Sequence, residues 1–227
     1  MRPCLPFAKK SVATLTLVSL DARRAPVEVT ISHLETTLSL DWNNPPRELS
    51  LTLERLPERA IPLVDERGTS QVLARCKRPA LHLVKALSAQ QEPYDFEMMC
   101  ALQASVLGEA CAFRTLSANV RSRNERHAYF DELPGMFSKK LARDEQDAIH
   151  FLLKAVRLYL DVIFVHPFRD GNARAAMLSM AFYCWRKGYA LPDFRKVFGF
   201  RFRPGSRLNY WAFVRFILEE VSHANSR

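Results

Sequence analysis

Residues 165–174 read Val-His-Pro-Phe-Arg-Asp-Gly-Asn-Ala-Arg and lie between two segments whose apolar residues have helical spacing. Apolar residues recur every three or four positions from Ile149 to Phe164, and again from Ala176 to Trp185. Gly188, three residues beyond the second segment, supplies a helix stop. The pattern therefore predicts a loop between two helices, with the second helix capped by Asn172 or a neighbour.

The residues of this loop favour the binding of an anion beside a metal ion. Gly171, Asn172 and Ala173 would place backbone N–H groups at a helix N-terminus, where unpaired donors and the helix dipole attract negative charge. Arg174, in the first turn, adds a planar set of donors that suits phosphate oxygens. Asp170 precedes these residues and is placed to hold a hard cation such as Mg²⁺ against the same oxygens.

His166 is the candidate general base of the loop, because the ordinary pKa of an imidazole lies near working pH. Pro167 and Phe168 are interpreted as structural, the first stiffening the turn and the second anchoring it in the core. Each of these residues is ordinary by itself in a helix–loop–helix. Their combination in this order indicates phosphoryl or nucleotidyl transfer to a protein hydroxyl.

The stretch also resembles the signature of the Fic/Doc family, His-x-Phe-x-(Asp/Glu)-Gly-Asn-(Gly/Lys)-Arg-x-x-Arg. The matching residues are His166, Phe168, Asp170, Gly171, Asn172 and Arg174. The resemblance implies a helical bundle whose usual activity is transfer of AMP from ATP to a Ser, Thr or Tyr hydroxyl of a target protein. It further implies His166 as the base, Asp170 as the Mg²⁺ ligand, and Gly171, Asn172 and Arg174 as the phosphate holders.

Two positions depart from the family pattern. Ala173 stands where the family has Gly or Lys, which keeps the backbone N–H but brings a methyl group close to the phosphates. Met177 stands where many AMP-transferring members carry a second Arg that grips the outer phosphates and pairs with an inhibitory glutamate. The Doc-like branch also lacks that Arg, and its members phosphorylate their target. Two alternatives to AMP transfer therefore stay open: a Doc-like protein kinase that transfers the γ-phosphate, and a degenerate Fic-like protein that binds without turnover.

Weaker similarities extend over roughly residues 75–215. Glu109 lies in a near match to the inhibitory pattern, but the residue after it differs and its partner Arg is missing, so we interpret Glu109 as an ordinary helix residue. Arg114 resembles the arginine that precedes the family's flap, which would be residues 119–129 and would offer a β-edge to a target segment. Tyr210 resembles a tyrosine near the end of the family domain, and we expect it to pack in the core.

Residues 1–70 are predicted to form a β-rich N-terminal region, and residues 71–227 a Fic-like helical domain. Strands with alternating polarity are predicted at 13–18, 27–31, 38–42 and 48–53, the last two joined as a hairpin. His33 is expected to be a surface or strand residue. A further short strand is predicted from the alternation of Phe198, Phe200 and Phe202.

Composition limits the classes of partner. The chain has 227 residues, 48% of them hydrophobic and 25% charged, as in soluble globular proteins, and its net charge of +9 favours an anionic partner such as a nucleotide or an acidic protein surface. Nucleic acid is not favoured, because a strand explains the interleaved Phe and Arg residues better than single-strand binding does. The expected co-substrate is ATP or another nucleoside triphosphate with Mg²⁺, and the expected partner is a target protein with a hydroxyl side chain. A toxin-like protein with an antitoxin or other regulatory partner is compatible with the resemblance.

The five cysteines are scattered and show no CxxC spacing, which argues against a disulfide framework or a zinc site and favours a reducing compartment. No apolar run reaches the roughly 18 residues of a membrane span, so no membrane is expected as a partner. The expected location is cytoplasmic, with delivery into another cell left open.

Overall fold

The computed structural model describes residues 27–56, 75–90, 92–120 and 124–225, and helices dominate these ranges. The helices are α1 (Val29–Ser39), α2 (Arg47–Glu54), α3 (Arg78–Ser88), α4 (Phe96–Leu107), α5 (Leu133–Gln146), α6 (Phe151–Val165), α7 (Asn172–Arg186), α8 (Phe194–Gly199) and α9 (Arg207–Asn225). The prediction of a mainly helical fold is confirmed. None of these helices is both long enough and apolar enough to cross a membrane.

A small sheet accompanies the helices. Its strands are β1 (Val27–Glu28), β2 (Ala118–Val120) and β3 (Glu125–His127), in the order β1-β3-β2. Strand β3 runs antiparallel to β2 and parallel to β1. Because β3 occupies the centre, β2 lies at one edge of this sheet.

Helices α6 and α7 form the centre of the molecule. In α6 every residue except Lys154 and Ile163 is buried, and in α7 every residue from Ala175 to Trp185 is buried. A helix that is apolar on all sides must be covered on all sides. Accordingly α6 and α7 pack on each other, α1 and α5 also pack on α6, and α3 and α4 pack on α7. The predicted helix–loop–helix therefore holds its loop on a rigid core.

The strands predicted at 38–42 and 48–53 are wrong, and of 27–31 only Val27 and Glu28 are strand. In α2, Leu49 and Leu53 are buried four residues apart, whereas Leu51 between them is 45% exposed. The three leucines alternate as in a strand, but the first and third also have the four-residue spacing of a helix. A run this short cannot distinguish a strand from a helix. The strand predicted at 13–18 and the domain boundary at residue 70 lie outside the described residues.

Helix α1 was not predicted from the sequence because its buried face is partly polar. Its buried residues have helical spacing but include three threonines and a histidine: Val29, Thr30, His33, Leu34, Thr36 and Thr37. A polar residue on a buried face does not register in a pattern built on apolar residues.

His33 is fully buried, so the prediction of a surface or strand position is also wrong. Its Nε2 donates to Asp161 Oδ1 at 2.9 Å, and its Nδ1 accepts from the Tyr210 hydroxyl at 2.8 Å. Burial lowers the pKa of His33, although the contact with Asp161 opposes that change. Burial would raise the pKa of Asp161, but the Lys140 ammonium and the His33 contact outweigh it and bring that pKa to about 2. The expectation that Tyr210 lies in the core holds.

The strand predicted from the alternating phenylalanines is likewise replaced by helix and coil. Phe198 lies in α8, whose buried residues Phe194 and Val197 are three positions apart. Phe200 and Phe202 follow the helix and pack on Phe213, with ring centroids 5.0 Å and 4.7 Å away. Aromatic residues with one buried side do not require a strand when a neighbouring helix covers that side.

Candidate functional site

The loop between α6 and α7 is shaped by two residues with left-handed backbone conformation. His166 has φ 53° and ψ 58°, and its N–H bonds Val162 O at 3.1 Å, so it ends α6. Gly171 has φ 77° and forms the N-cap of α7. The predicted cap is therefore the neighbour, Gly171, and not Asn172, which is the first residue of the helix.

Asn172 instead closes the loop with its side chain. Its Oδ1 accepts from Phe168 N–H and its Nδ2 donates to Phe168 O, both at 2.9 Å. The Phe168 ring is buried and stacks on Phe96 at a centroid distance of 5.9 Å, which anchors the loop in the core as predicted. Gln103, fully buried on α4, donates from Nε2 to Asp170 O at 2.8 Å. The backbone of the loop is thus fixed at both ends.

Arg114 connects the loop to the segment that carries the small sheet. Its buried guanidinium donates to four carbonyl oxygens, those of Val165, His166, Leu116 and Ala128. Burial lowers its pKa. Two of the four acceptors lie at the C-terminal end of α6, where a cation offsets the unpaired carbonyls and the negative end of the helix dipole. All of its contacts are to backbone carbonyls, so we assign Arg114 a structural role.

A cleft of about 550 Å³ opens along the loop, a volume within the usual range for small-ligand sites. It is lined by the loop and the first turn of α7 together with β2 and Arg75. The six residues predicted for the site all line it: His166, Asp170, Gly171, Asn172, Ala173 and Arg174. Their predicted chemical roles stay predictions, but their shared location is a property of the structure.

The N-terminal end of α7 offers donors to this cleft. The first amides of the helix with intrahelical acceptors are those of Arg174 and Ala175, both bonded to Gly171 O at 2.9 Å. No described residue accepts from the N–H groups of Gly171, Asn172 or Ala173. Three backbone donors at the positive end of the helix dipole are suited to an anion.

His166 carries its proton on one defined nitrogen. Its Nδ1 lies 2.7 Å from Ile163 O, and a carbonyl only accepts, so Nδ1 is the protonated nitrogen and Nε2 the basic one. The imidazole of His127 stacks on this ring with centroids 3.9 Å apart and planes 24° apart. The His127 Nδ1 lies 2.8 Å from Phe164 O, so both rings are oriented by carbonyls of the last turn of α6.

The donor set at Asp170 fits a magnesium ion that is shared with a phosphate ligand. The Asp170 side chain is 77% exposed, and its Oδ2 lies 3.0 Å from Arg174 Nη2, while no described residue bonds Oδ1. Among the described residues no group of three or more His, Cys, Asp or Glu side chains converges to form a cage. Mg²⁺ is commonly held by one or two carboxylates together with substrate phosphates and water. Asp170 beside the three amides meets that description.

Residues near the site that were not assigned to it from sequence include Arg75 and Arg169, which line the cleft, Gln103, which donates to the loop backbone, and His127, which stacks on His166. Of these, Arg169 lies within the predicted loop and His127 within the predicted flap. No local pattern around Arg75 or Gln103 could have found them, because their role depends on which distant segments meet.

The departures from the signature differ in their consequences. Ala173 is exposed and lines the cleft, where it keeps its backbone N–H. Met177 is fully buried in α7 and contributes apolar packing. Glu109 lies beyond the end of α4, after Gly108 in left-handed conformation, so its interpretation as a helix residue is wrong. It is not among the residues that line the cleft.

Comparison with known proteins gives one family. The Fic/DOC family model matches residues 93–184, which include α4, α6, α7 and the loop. No curated protein sequence matches the chain.

Solved structures with the same fold come from Fic proteins. A histidine-to-alanine variant of IbpAFic2 in complex with adenylylated Cdc42 has a TM-score of 0.59 at 12% identity, over 86% of this chain and 75% of its own. IbpAFic2 covalently tethered to Cdc42 gives 0.57 at 14% identity over the same shares. A Fic domain containing signalling protein from Bacteroides thetaiotaomicron gives 0.50 at 16% identity, over 88% and 83%. Residues 93–184 of this chain are thus similar to the Fic/DOC family model, and the chain shares its fold with solved Fic structures.

Proposed function

We propose that this chain is a Mg²⁺-dependent transferase that moves AMP from ATP, or another nucleoside monophosphate from its triphosphate, to a Ser, Thr or Tyr hydroxyl of a target protein. The observation that supports it most is the convergence on one cleft of three amides without described acceptors, an exposed carboxylate and the His166 imidazole. The similarity of residues 93–184 to the Fic/DOC family model supports the general class of transferase.

The phosphates would lie against the amides of Gly171, Asn172 and Ala173, with the Arg174 guanidinium beside them. Such donors are fixed before the ligand arrives, so they stabilise developing charge without reorganising. Asp170 would hold the Mg²⁺, which when bound neutralises phosphate charge and orients the oxygens. The pair between Asp170 and Arg174 places both groups at the same end of the cleft.

His166 would accept the proton of the attacking hydroxyl. The Nδ1–H bond to Ile163 O leaves Nε2 as the acceptor and fixes the orientation of the ring. As the target oxygen bonds to the α-phosphorus, the bond from that phosphorus to the bridging oxygen breaks. Pyrophosphate leaves, and the hydroxyl proton passes to Nε2.

The edge strand β2 supports a protein as the acceptor. Ala118, Asn119 and Val120 line the cleft, and β2 is paired with β3 on one side. An extended target segment could add to the other side of β2 and so present its hydroxyl above the loop. The similar IbpAFic2 structures, which contain Cdc42, support a protein target for this chain as well.

The buried Met177 favours a second candidate, a Doc-like kinase. A family member without the second arginine has one cation fewer for the outer phosphates, and the hydroxyl would then attack the γ-phosphorus with ADP as the leaving group. A third candidate is a protein that binds nucleotide without turnover. The missing second arginine favours this candidate as well.

The position of the label in ATP separates these three. The protein is incubated with Mg²⁺, a whole-cell lysate as the source of targets, and ATP labelled at either the α- or the γ-phosphate. We expect the α-label, and not the γ-label, to become covalently fixed to protein, and chelation of Mg²⁺ to abolish it. Fixation of the γ-label alone would establish the kinase instead. Tight binding of ATP with neither label fixed would refute both transfers.

A further inference from the structure

Arg75 contributes a cation to the cleft from outside the family segment. It lines the cleft together with the loop and β2, and its neighbour Cys76 is buried, which fixes the backbone there. The Arg75 guanidinium lies over the ring of Phe198, with its central carbon 4.2 Å from the ring centroid. A contact of this kind holds an otherwise exposed side chain in one place.

The hydrogen-bond donors of Arg75 remain available to a ligand. Stacking on an aromatic ring uses the face of the guanidinium plane, whereas the N–H groups point outward from its edge. No described carboxylate pairs with Arg75, in contrast to Arg174, which pairs with Asp170, and Arg157, which pairs with Asp147. Among the described residues, Arg75 thus contacts an aromatic ring and pairs with no carboxylate.

Arg75 and Arg174 both line the cleft, although they are 99 positions apart in the chain. A ligand on the amides of Gly171 and Asn172 that touches Arg174 would extend toward Arg75.

The remaining part of α7 supplies no cation for the outer phosphates. Met177 and its neighbours from Ala175 to Trp185 are buried. Beyond Arg174 and the Mg²⁺ proposed at Asp170, the cationic side chains among the described residues that line the cleft are Arg169, in the loop itself, and Arg75, from another segment.

We propose that Arg75, positioned by the ring of Phe198, binds the outer phosphates of the nucleotide, an inference that rests on the proposed function of the cleft. It supplies the guanidinium that the position of Met177 does not. Arg75 accordingly makes the cleft selective for nucleotides with a β- and γ-phosphate over a monophosphate.

The test compares the affinity for ATP, ADP and AMP, each with Mg²⁺, by titration calorimetry. Arg75→Ala should bind ATP at least about tenfold more weakly, the usual size for the loss of a hydrogen bond to a charged group. Its affinity for AMP should equal that of the wild type. Phe198→Leu keeps the arginine but removes the ring, and should weaken ATP binding by a smaller factor. Arg215→Ala, which removes another exposed arginine on α9, is the matched control and should change nothing.

The results separate this inference from the proposed function. If Arg75→Ala binds ATP as tightly as the wild type, or loses ATP and AMP affinity equally, the assignment of Arg75 is overturned while nucleotide binding stands. An unchanged ATP affinity in Phe198→Leu overturns the positioning by the ring. Failure of the wild type to bind any of the three nucleotides overturns the proposed function itself, before any variant is compared.

Discussion

The contact between Gly171 and Gln103 gives the sharpest prediction about the loop. A Cβ at residue 171 would lie 2.2 Å from Gln103 Nε2 and 3.0 Å from Arg174 Nη2, and its backbone would still need φ of 77°. Left-handed conformation costs a residue with a Cβ about 1–2 kcal/mol. Gln103 is fully buried and cannot swing into solvent, so it must lose its bond to Asp170 O. A buried donor left unsatisfied costs about 1–3 kcal/mol. We therefore expect Gly171→Ala to lower the free energy of unfolding by about 3 kcal/mol.

A double-mutant cycle isolates the steric part of that loss. Gln103→Ala alone should cost only about 1 kcal/mol, because it breaks one hydrogen bond but also removes Oε1, which is buried without a partner. In that background a Cβ at residue 171 meets the backbone cost and only the end of the Arg174 side chain, which can move, so the double variant should be more stable than additivity predicts by about 1–2 kcal/mol.

The assay is urea unfolding of the four proteins of the cycle, with Gly135→Ala as the matched control. A Cβ at residue 135, in α5, meets no atom within 4 Å, so this change should stabilise the protein by about 0.5–1 kcal/mol, the ordinary gain of Ala over Gly in a helix. Additive losses for Gly171 and Gln103 would refute the contact between them. A Gly171→Ala variant as stable as the wild type would refute the geometry of the loop.

Three further predictions test the parts of the molecule that surround the loop. Arg114→Lys replaces a guanidinium that donates to four carbonyls with a single ammonium. It should lower the free energy of unfolding, measured by urea titration, by about 2–3 kcal/mol. An unchanged free energy of unfolding would show that Arg114 does not hold the segment with β2 and β3 to the loop. The folded protein should lose stability as the pH falls below 6.5, by up to about 1.4 kcal/mol per pH unit, because the pKa of His33 is lowered in the folded state and only the unfolded chain takes up that proton readily. Unfolding titrations across this range should show that dependence in the wild type and a flatter one in His33→Gln; equal slopes would contradict a neutral buried His33. Asp170→Asn should abolish the effect of Mg²⁺ on ATP affinity, measured by calorimetry with and without chelator, and an unchanged effect would exclude Asp170 as the metal ligand.

The site was predictable from sequence because its residues are adjacent in the chain. Helical periodicity on both sides of residues 165–174 fixes a loop between two packed helices, and adjacency then brings His166, Asp170 and Gly171 to one cleft. The prediction needed no knowledge of the rest of the fold. Helix α7 is buried over most of its length, which is why its apolar pattern is so regular.

What sequence reasoning missed depends on contacts between distant segments. Gln103, His127 and Arg75 reach the site from α4, β3 and the segment before α3; His127 lay in the predicted flap, but no local pattern marks Gln103 or Arg75. Both ends of α1 and most of α2 were predicted as strands because short alternating runs fit both periods, and the middle of α1 was not recognised as helix because His33 lies on its buried face. A polar group becomes buried when another element supplies its partner, here Asp161 on α6.

The most direct test of the central claim is the transfer of α-label from ATP to protein by the wild type and by two variants of His166. His166→Asn tolerates the left-handed conformation at this position but provides no base, and His166→Ala removes the side chain. We expect both to retain ATP binding and to lose at least about a hundredfold in the rate of labelling, the usual contribution of a general base. Labelling at the wild-type rate in either variant would contradict the account.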